Sequence, residues 1–125
     1  MRRLVIIAVL GLGLAGCVTP SIPIPPPDPT RMTFAVTITD MTSTAVFSYP
    51  SDYNYHGGVA FVYNRTQGSG VIQNVAADDS IGPTQPFRAV VGDEVVVSVQ
   101  TEQQTESTCV KLRDGTGQDA NGCSF

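Results

Sequence analysis

Along several segments of this chain, apolar and polar residues alternate with a period of two. In the segment MTFAVTIT, four apolar side chains would lie on one side of an extended strand: Met32, Phe34, Val36 and Ile38. Val95, Val97 and Val99 repeat the pattern further along the chain. No segment after residue 31 shows convincing apolar residues at the 3.6-residue spacing of an amphipathic helix. The pattern therefore predicts an all-β domain.

The predicted strands are short and about seven in number, with turn-forming residues between them. Besides the strand that begins at Met32, they are expected at 44–49, 58–64 and 70–76, within 87–100 on both sides of a turn at Gly92-Asp93, at 107–114 and near Cys123. Residues 31–125 suffice for one domain with one modest core. The natural packing is a small antiparallel immunoglobulin-like β-sandwich. A small barrel is the alternative that this pattern leaves open.

The first residues have the layout of a secretory signal peptide, predicted over 1–16. Arg2 and Arg3 are followed by an apolar stretch at 4–14 and by the small residues Ala15 and Gly16. A transmembrane anchor is the alternative. A helix over 4–18 would rise only roughly 22 Å at about 1.5 Å per residue, less than a hydrocarbon core of roughly 30 Å. We therefore expect a cleaved signal and not a spanning helix.

The sequence Leu14-Ala15-Gly16-Cys17 resembles the bacterial lipobox. The resemblance implies that the Cys17 thiol carries a diacylglyceryl group and that the chain is cut before this residue. It also implies an extracytoplasmic protein that is lipid-anchored to the bacterial cell membrane, with a soluble secreted protein as the alternative. More than one acyl chain is needed for a stable anchor.

Residues 17–30 are predicted to be the lipidated Cys17 followed by a proline-rich linker. Prolines fix φ and remove backbone donors, so VTPSIPIPPPDPT favours an extended polyproline II conformation. At about 3.1 Å per residue, this segment would span roughly 40 Å. A PxxP-type docking ligand is the alternative reading of the same prolines.

The charge balance argues against nucleic acid as a partner. Arg2 and Arg3 precede Cys17, so the remaining chain keeps five of the seven basic residues against all eleven acidic ones. Cationic side chains carry the affinity for phosphate backbones, and this sequence has no basic cluster. No nucleic-acid binding is expected.

The two other cysteines, Cys109 and Cys123, are expected to form a disulfide, because an exported chain meets oxidising conditions. A metal pair is the alternative, but His56 is the single histidine of the chain and lies far from both in sequence. The segment 114–122 holds only a fragment of a calcium-loop pattern and is expected to be a turn. No metal site and no cofactor are predicted.

Catalysis finds little support in the sequence, and the chain is not expected to be an enzyme. His56 lies in the loop YPSDYNYHGG beside an ordinary serine and aspartate, which is no triad signature. The same loop is a possible partner-binding surface, formed by Tyr53, Tyr55 and His56, because such amphipathic side chains often anchor interfaces. The alternative is that one or two of the tyrosines fold back over the sandwich edge.

The C-terminal third resembles the MmpS family of small mycobacterial membrane proteins. The resemblance rests on three features: Pro86-Phe87 leading to VVVSVQ at 95–100, TCVKLRDG at 108–115, and a terminal cysteine after a polar hairpin. It implies an extracytoplasmic β-sandwich with a disulfide, accessory to large lipid or siderophore exporters. That family normally keeps an uncleaved transmembrane helix and a Pro-Trp pair, whereas this chain has a lipobox and no tryptophan.

These features predict a membrane-anchored surface lipoprotein whose sandwich binds another envelope protein, with an accessory role to an MmpL-type exporter as one form of that function. A phage- or prophage-encoded lipoprotein that blocks superinfection is an alternative with the same requirements. A structural envelope lipoprotein is a further alternative.

Overall fold

The period-two segments form antiparallel strands in the computed structural model, which describes residues 23–102 and 104–123. The eight strands are β1 Thr33–Thr39, β2 Thr42–Ser48, β3 Val59–Asn64, β4 Ser69–Asn74, β5 Phe87–Arg88, β6 Glu94–Gln100, β7 Thr105–Lys111 and β8 Gly115–Thr116. Two short 3₁₀ turns, Pro29–Arg31 and Tyr53–Tyr55, complete the regular structure of this part of the chain. None of its helical segments is long and apolar enough to cross a membrane.

The strands form two four-stranded antiparallel sheets. The first sheet has the order β5-β2-β1-β8, and the second has the order β4-β3-β6-β7. Hairpins join β1 to β2, β3 to β4 and β6 to β7. The connections β2–β3, β4–β5 and β5–β6 each pass from one sheet to the other, as in sandwich folds. The predicted all-β sandwich is confirmed, with eight strands where about seven were expected.

The core lies between the sheets and is built from the inward side of each alternating strand. Phe34 and Phe47 have ring centroids 5.1 Å apart, and Phe87 meets Phe34 at 6.3 Å. Val95, Val97 and Val99 of β6 close the core from the second sheet and are fully buried. Burial of these side chains supplies the main favourable term in folding.

Ile38 departs from the predicted pattern. It lies on the same side of β1 as Phe34, but its side chain is 79% exposed. Residues 37–42 at the tip of the β1–β2 hairpin are all exposed, so this end of β1 has no layer covering it. The alternation therefore predicts correctly on which side of β1 Ile38 lies, but it does not predict that this side chain is exposed.

Part of the predicted linker, residues 24–28, lies against the domain. Ile24 N–H donates to Gln104 Oε1 at 2.7 Å, and Asp28 N–H donates to the Tyr49 hydroxyl at 3.0 Å. Between them, Pro27 is buried and its carbonyl oxygen accepts from the Thr108 hydroxyl. Residues 24–28, called here the docked segment, are thus part of the folded domain and not a free spacer. The contacts of the folded domain therefore include residues before the predicted domain start at residue 31.

The two ends of the sandwich differ. The loop end carries the connections 49–58 and 75–83, the β6–β7 connection and the docked segment. The hairpin end carries the connections 40–41, 65–68 and 89–93. A disulfide joins Cys109 of β7 to Cys123, with Cα atoms 5.5 Å apart, in agreement with the predicted pair. The predicted final strand near Cys123 is replaced by the two-residue β8, which pairs with β1.

Candidate functional site

The loop predicted to bind a partner is a folded part of the loop end. Its 3₁₀ turn Tyr53–Tyr55 begins at Asp52, whose side chain accepts from the Asn54 N–H at 3.0 Å. Gly57 then adopts φ +72°, in the left-handed region that favours glycine. The loop therefore has a defined shape in which each side chain points in a fixed direction.

Tyr55 turns inward and is 1% exposed, so it does not belong to an exposed binding surface. Its ring lies 5.9 Å from the Tyr49 ring, and its hydroxyl donates to the Pro25 carbonyl oxygen at 2.8 Å. Burial raises the pKa of this hydroxyl far above its ordinary value. The prediction of an exposed binding role is wrong for Tyr55, because the aromatic core needs its ring and the docked segment needs its hydroxyl.

Tyr53 and His56 remain on the surface as a stacked pair. Their ring centroids are 5.7 Å apart with an interplanar angle of 19°, and Tyr53 is 80% exposed. His56 Nδ1 lies 2.5 Å from Asp79 Oδ1, which fixes the plane of the imidazole ring. Two of the three predicted loop residues are thus accessible to a partner.

The contacts around His56 differ from those of a catalytic triad. The nearest serine in sequence, Ser51, donates its hydroxyl to the Asp78 carbonyl oxygen and not to the imidazole. Over residues 23–102 and 104–123, no group of three or more His, Cys, Asp and Glu side chains is placed to hold a metal ion. The pair offers a flat, amphipathic contact surface.

The hairpin end carries a cluster of exposed apolar side chains that the sequence pattern did not reveal. This hairpin-end patch consists of Ile38, Met41, Val90 and Val91. Ile38 faces Ser43 in the hairpin register, and the Ala89 N–H donates to the Ser43 carbonyl oxygen at 3.1 Å. Met41, which is 98% exposed, and Val90 line the same depression of about 400 Å³, whose other lining residues are the polar Thr42, Ser43, Gln67 and Arg88. Such clustering is uncommon on surfaces that meet only water.

A buried polar network holds the patch in place. Asn64 is fully buried and donates to Asp93 Oδ2 at 2.8 Å and to the Arg88 carbonyl oxygen at 3.1 Å. The same Asp93 oxygen accepts from the Val90 N–H at 2.9 Å. Asn64 Oδ1 in turn accepts from the Thr66 and Gln67 N–H groups. The connections 65–68 and 89–93 are therefore locked to each other, and Val90 with them.

The residues of the predicted signal peptide and the lipidation site Cys17 lie outside the described residues. No family model matches this chain, and neither do any of the curated proteins or solved structures with which it was compared. The resemblances to the lipobox and to the MmpS family stay predictions from the sequence.

Proposed function

We propose that this chain is a bacterial envelope lipoprotein, anchored through Cys17, whose sandwich binds another envelope protein with its hairpin-end patch. One observation carries the choice of surface. The docked segment enters the domain at the loop end, and the exposed apolar cluster lies at the opposite end. An anchor on the docked segment would therefore direct the patch away from the bilayer.

The docking also limits how far the domain can move from its anchor. Residues 18–23 separate Cys17 from Ile24, which gives a path of at most roughly 25 Å at about 3.6 Å per residue. The linker prediction without docking gave roughly 40 Å. The domain would therefore stay near the membrane surface, and a partner would meet the patch on the side of the domain that faces away from the bilayer.

The chemistry of the patch fits a protein partner. Ile38, Met41, Val90 and Val91 offer apolar contact area, and methionine adapts its shape to a partner surface. The acidic balance of the chain disfavours anionic lipid headgroups as the ligand. An accessory role to an MmpL-type exporter is the form of this function that the sequence resemblance favours.

The anchor is tested by replacing Cys17 with serine in the full chain. We expect the Cys17→Ser protein to leave the membrane fraction, while a Thr19→Ser control stays in it, because only the cysteine thiol accepts the lipid. A Cys17→Ser protein that is processed normally and still sediments with membranes would disprove the anchor.

The partner surface is tested by placing a photocrosslinking residue at position 41 or, as a control of comparable exposure, at position 53, in cells that make the anchored protein. A crosslinked envelope protein is expected from position 41, and the yield should fall at least about fivefold when Val91→Glu is added, because a charge opposes apolar contact. Equal yields from positions 41 and 53, or none from either, would contradict the assignment. An exporter subunit as the captured protein supports the accessory role, and a phage protein supports superinfection exclusion instead.

A further inference from the structure

We propose that two copies of this chain associate through the free edge of β4, so that the second sheets of both copies join into one continuous antiparallel sheet. The proposal rests on the backbone of β4 and is independent of the lipid anchor and of the hairpin-end patch.

The free edge of β4 presents unpaired backbone groups. The Val75 N–H donates to the Gly58 carbonyl oxygen at 3.0 Å, so Gly58 and Val75 are a hydrogen-bonded pair at the end of the β3–β4 ladder. Such pairs recur at every second position of an antiparallel ladder. In the β3–β4 register, the bonded residues of β4 are therefore Gln73, Val71 and Ser69. The N–H and C=O groups of the alternate residues, namely Gly70, Ile72 and Asn74, point away from β3. Of these groups, the Asn74 carbonyl oxygen accepts a long bond of 3.5 Å from the Gln73 side-chain amide of its own chain.

The other three sheet edges are short or covered. The edge strands β5 and β8 of the first sheet have two residues each. At the β7 edge, the Thr108 hydroxyl bonds to Pro27 of the docked segment, and the strand carries Glu106 and Lys111. Charge, short length and covering segments are the usual protections of a sheet edge. Within the described part of the chain, β4 is the edge strand that is both six residues long and free of charged residues, although β5 of the first sheet lies near it.

The order of residues along β4 fits a second copy of itself. Antiparallel pairing centred on Ile72 places Ile72 opposite its own copy and Gly70 opposite Asn74, so every outward N–H and C=O finds a partner. The chain has no charged residue from Ser69 to Ala77, so the symmetric arrangement brings no like charges together. An isologous contact of this kind is the commonest form of dimer interface.

Side chains on the outer face support the same pairing. Ile72 is 70% exposed although it is a large apolar residue in a regular strand. Its register partner on β3 is Phe61, and Tyr63 lies next to it opposite Gly70. In the joined sheet, the two copies of Ile72 would lie side by side between two Phe61 rings, which removes apolar surface from water.

The first test uses a symmetric disulfide. Directly opposite, hydrogen-bonded residues of antiparallel strands have Cα atoms about 5.5 Å apart, within the range that a disulfide spans. The full chain with Ile72→Cys, extracted in mild detergent and oxidised gently, is expected to form a disulfide-linked dimer at least about tenfold faster than the similarly exposed control Tyr53→Cys, which lies outside the hairpin-end patch. Equal rates for the two variants would overturn the proposal. A disulfide from position 72 to a different protein would overturn the assignment of a second copy.

The second test removes the pairing by charge. Ile72→Lys places two like charges across the symmetry axis and is expected to raise the dimer dissociation constant at least about tenfold in sedimentation equilibrium. Tyr53→Lys, at a similar exposure and outside the hairpin-end patch, should leave the dimer dissociation constant unchanged. Circular dichroism checks that both variants keep their strands. A full chain that sediments as a monomer at every concentration, or a dimer that tolerates Ile72→Lys, rejects the model of edge pairing. Because neither test uses Cys17 or position 41, a failure of the dimer proposal can be distinguished from a failure of the proposed function.

Discussion

Tyr53 and Tyr55 are two positions apart in the same loop, yet one is exposed and the other is buried in the aromatic core. The sequence could nominate both as binding residues but could not separate them, because an irregular loop has no period from which burial can be read. A tertiary contact determines which tyrosine is buried: the Pro25 carbonyl oxygen accepts a hydrogen bond from the Tyr55 hydroxyl. Residues distant in sequence thus determine which tyrosine is available to a partner.

Replacing Tyr55 with phenylalanine tests this contact. We expect Tyr55→Phe to lose about 1 kcal/mol of the free energy of unfolding near neutral pH, because the Pro25 carbonyl loses its donor while the ring stays packed. Tyr53→Phe, on the surface, should change it little. Urea unfolding of both variants measures the difference. Equal stabilities of the two variants would show that the hydroxyl does not hold the docked segment.

The stability of the wild type and that of Tyr55→Phe should also depend differently on pH. Burial raises the pKa of Tyr55 in the folded state, so its contribution is fully present below the unfolded-state value of about 10 and is lost as the pH rises above it. The stability of the wild type should therefore fall more steeply above about pH 10 than that of Tyr55→Phe. Parallel curves through this range would contradict the assignment.

The contribution of Asp28 to the free energy of unfolding has the opposite pH dependence: it decreases at acid pH. The Thr30 hydroxyl and the Thr30 N–H both donate to its carboxylate, at 2.8 and 2.9 Å, and the Thr30 side chain is the main cause that lowers the pKa of Asp28. Asp28→Ala should cost about 1 kcal/mol at neutral pH as a lost cap. Because the folded-state pKa is the lower one, this advantage is present above the unfolded-state value of about 3.9 and shrinks as the pH falls through the folded-state value.

Denaturant midpoints of the wild type and Asp28→Ala, measured from neutral to acid pH, follow this change. Asp40→Ala, at an exposed turn, is the matched control and should show a small constant difference. A difference for Asp28→Ala that stays constant down to strongly acid pH would exclude the carboxylate as its origin.

At the scale of elements, the long strands could be predicted from the sequence, whereas the two-residue β8 and the exposure of the end of β1 could not. The alternation of β1 and β6 follows from the core that each must face, so it is visible in the sequence. The two-residue β8 has no such pattern, since its place is set by pairing with β1. Likewise, the exposure of Ile38 depends on whether another element covers that end of β1, which no local pattern contains.

The connections 65–68 and 89–93 form a single unit with the patch, and Asn64 is the residue that joins them. Asn64→Ala should lower the free energy of unfolding by about 2–3 kcal/mol, because Asp93 loses a donor and two backbone N–H groups lose their acceptor. Asn74→Ala, on the exposed face of β4, should change it by less than about 0.5 kcal/mol. Guanidinium unfolding gives both values, and equal losses would refute the network as a structural unit.

At the scale of the whole molecule, both ends of the described chain are fastened to the second sheet. The docked segment is held by hydrogen bonds to β7 and to the β6–β7 connection, and Cys123 by its disulfide to β7. The sequence could predict the disulfide from the cysteine count and the exported context. It could not predict the docking, because extended proline segments read the same whether free or bound.

Removal of the disulfide tests the fastening at the C-terminal side. Cys109→Ser combined with Cys123→Ser should lower the free energy of unfolding by about 3 kcal/mol, as the loop-entropy estimate gives for a loop of about 15 residues. Thermal unfolding of the double variant and of thiol-reduced wild type should give the same loss. A reduced protein as stable as the oxidised one would show that the loop is closed by packing alone.

The docked segment also determines how the domain bears load. A pull applied through an anchor at Cys17 would first meet the hydrogen bonds at Ile24, Pro25, Pro27 and Asp28, one after another, before it reached β1. Bonds that are loaded in sequence peel apart at lower force than bonds loaded together. Under tension, the docked segment would then detach first, which lengthens the linker and leaves both sheets intact.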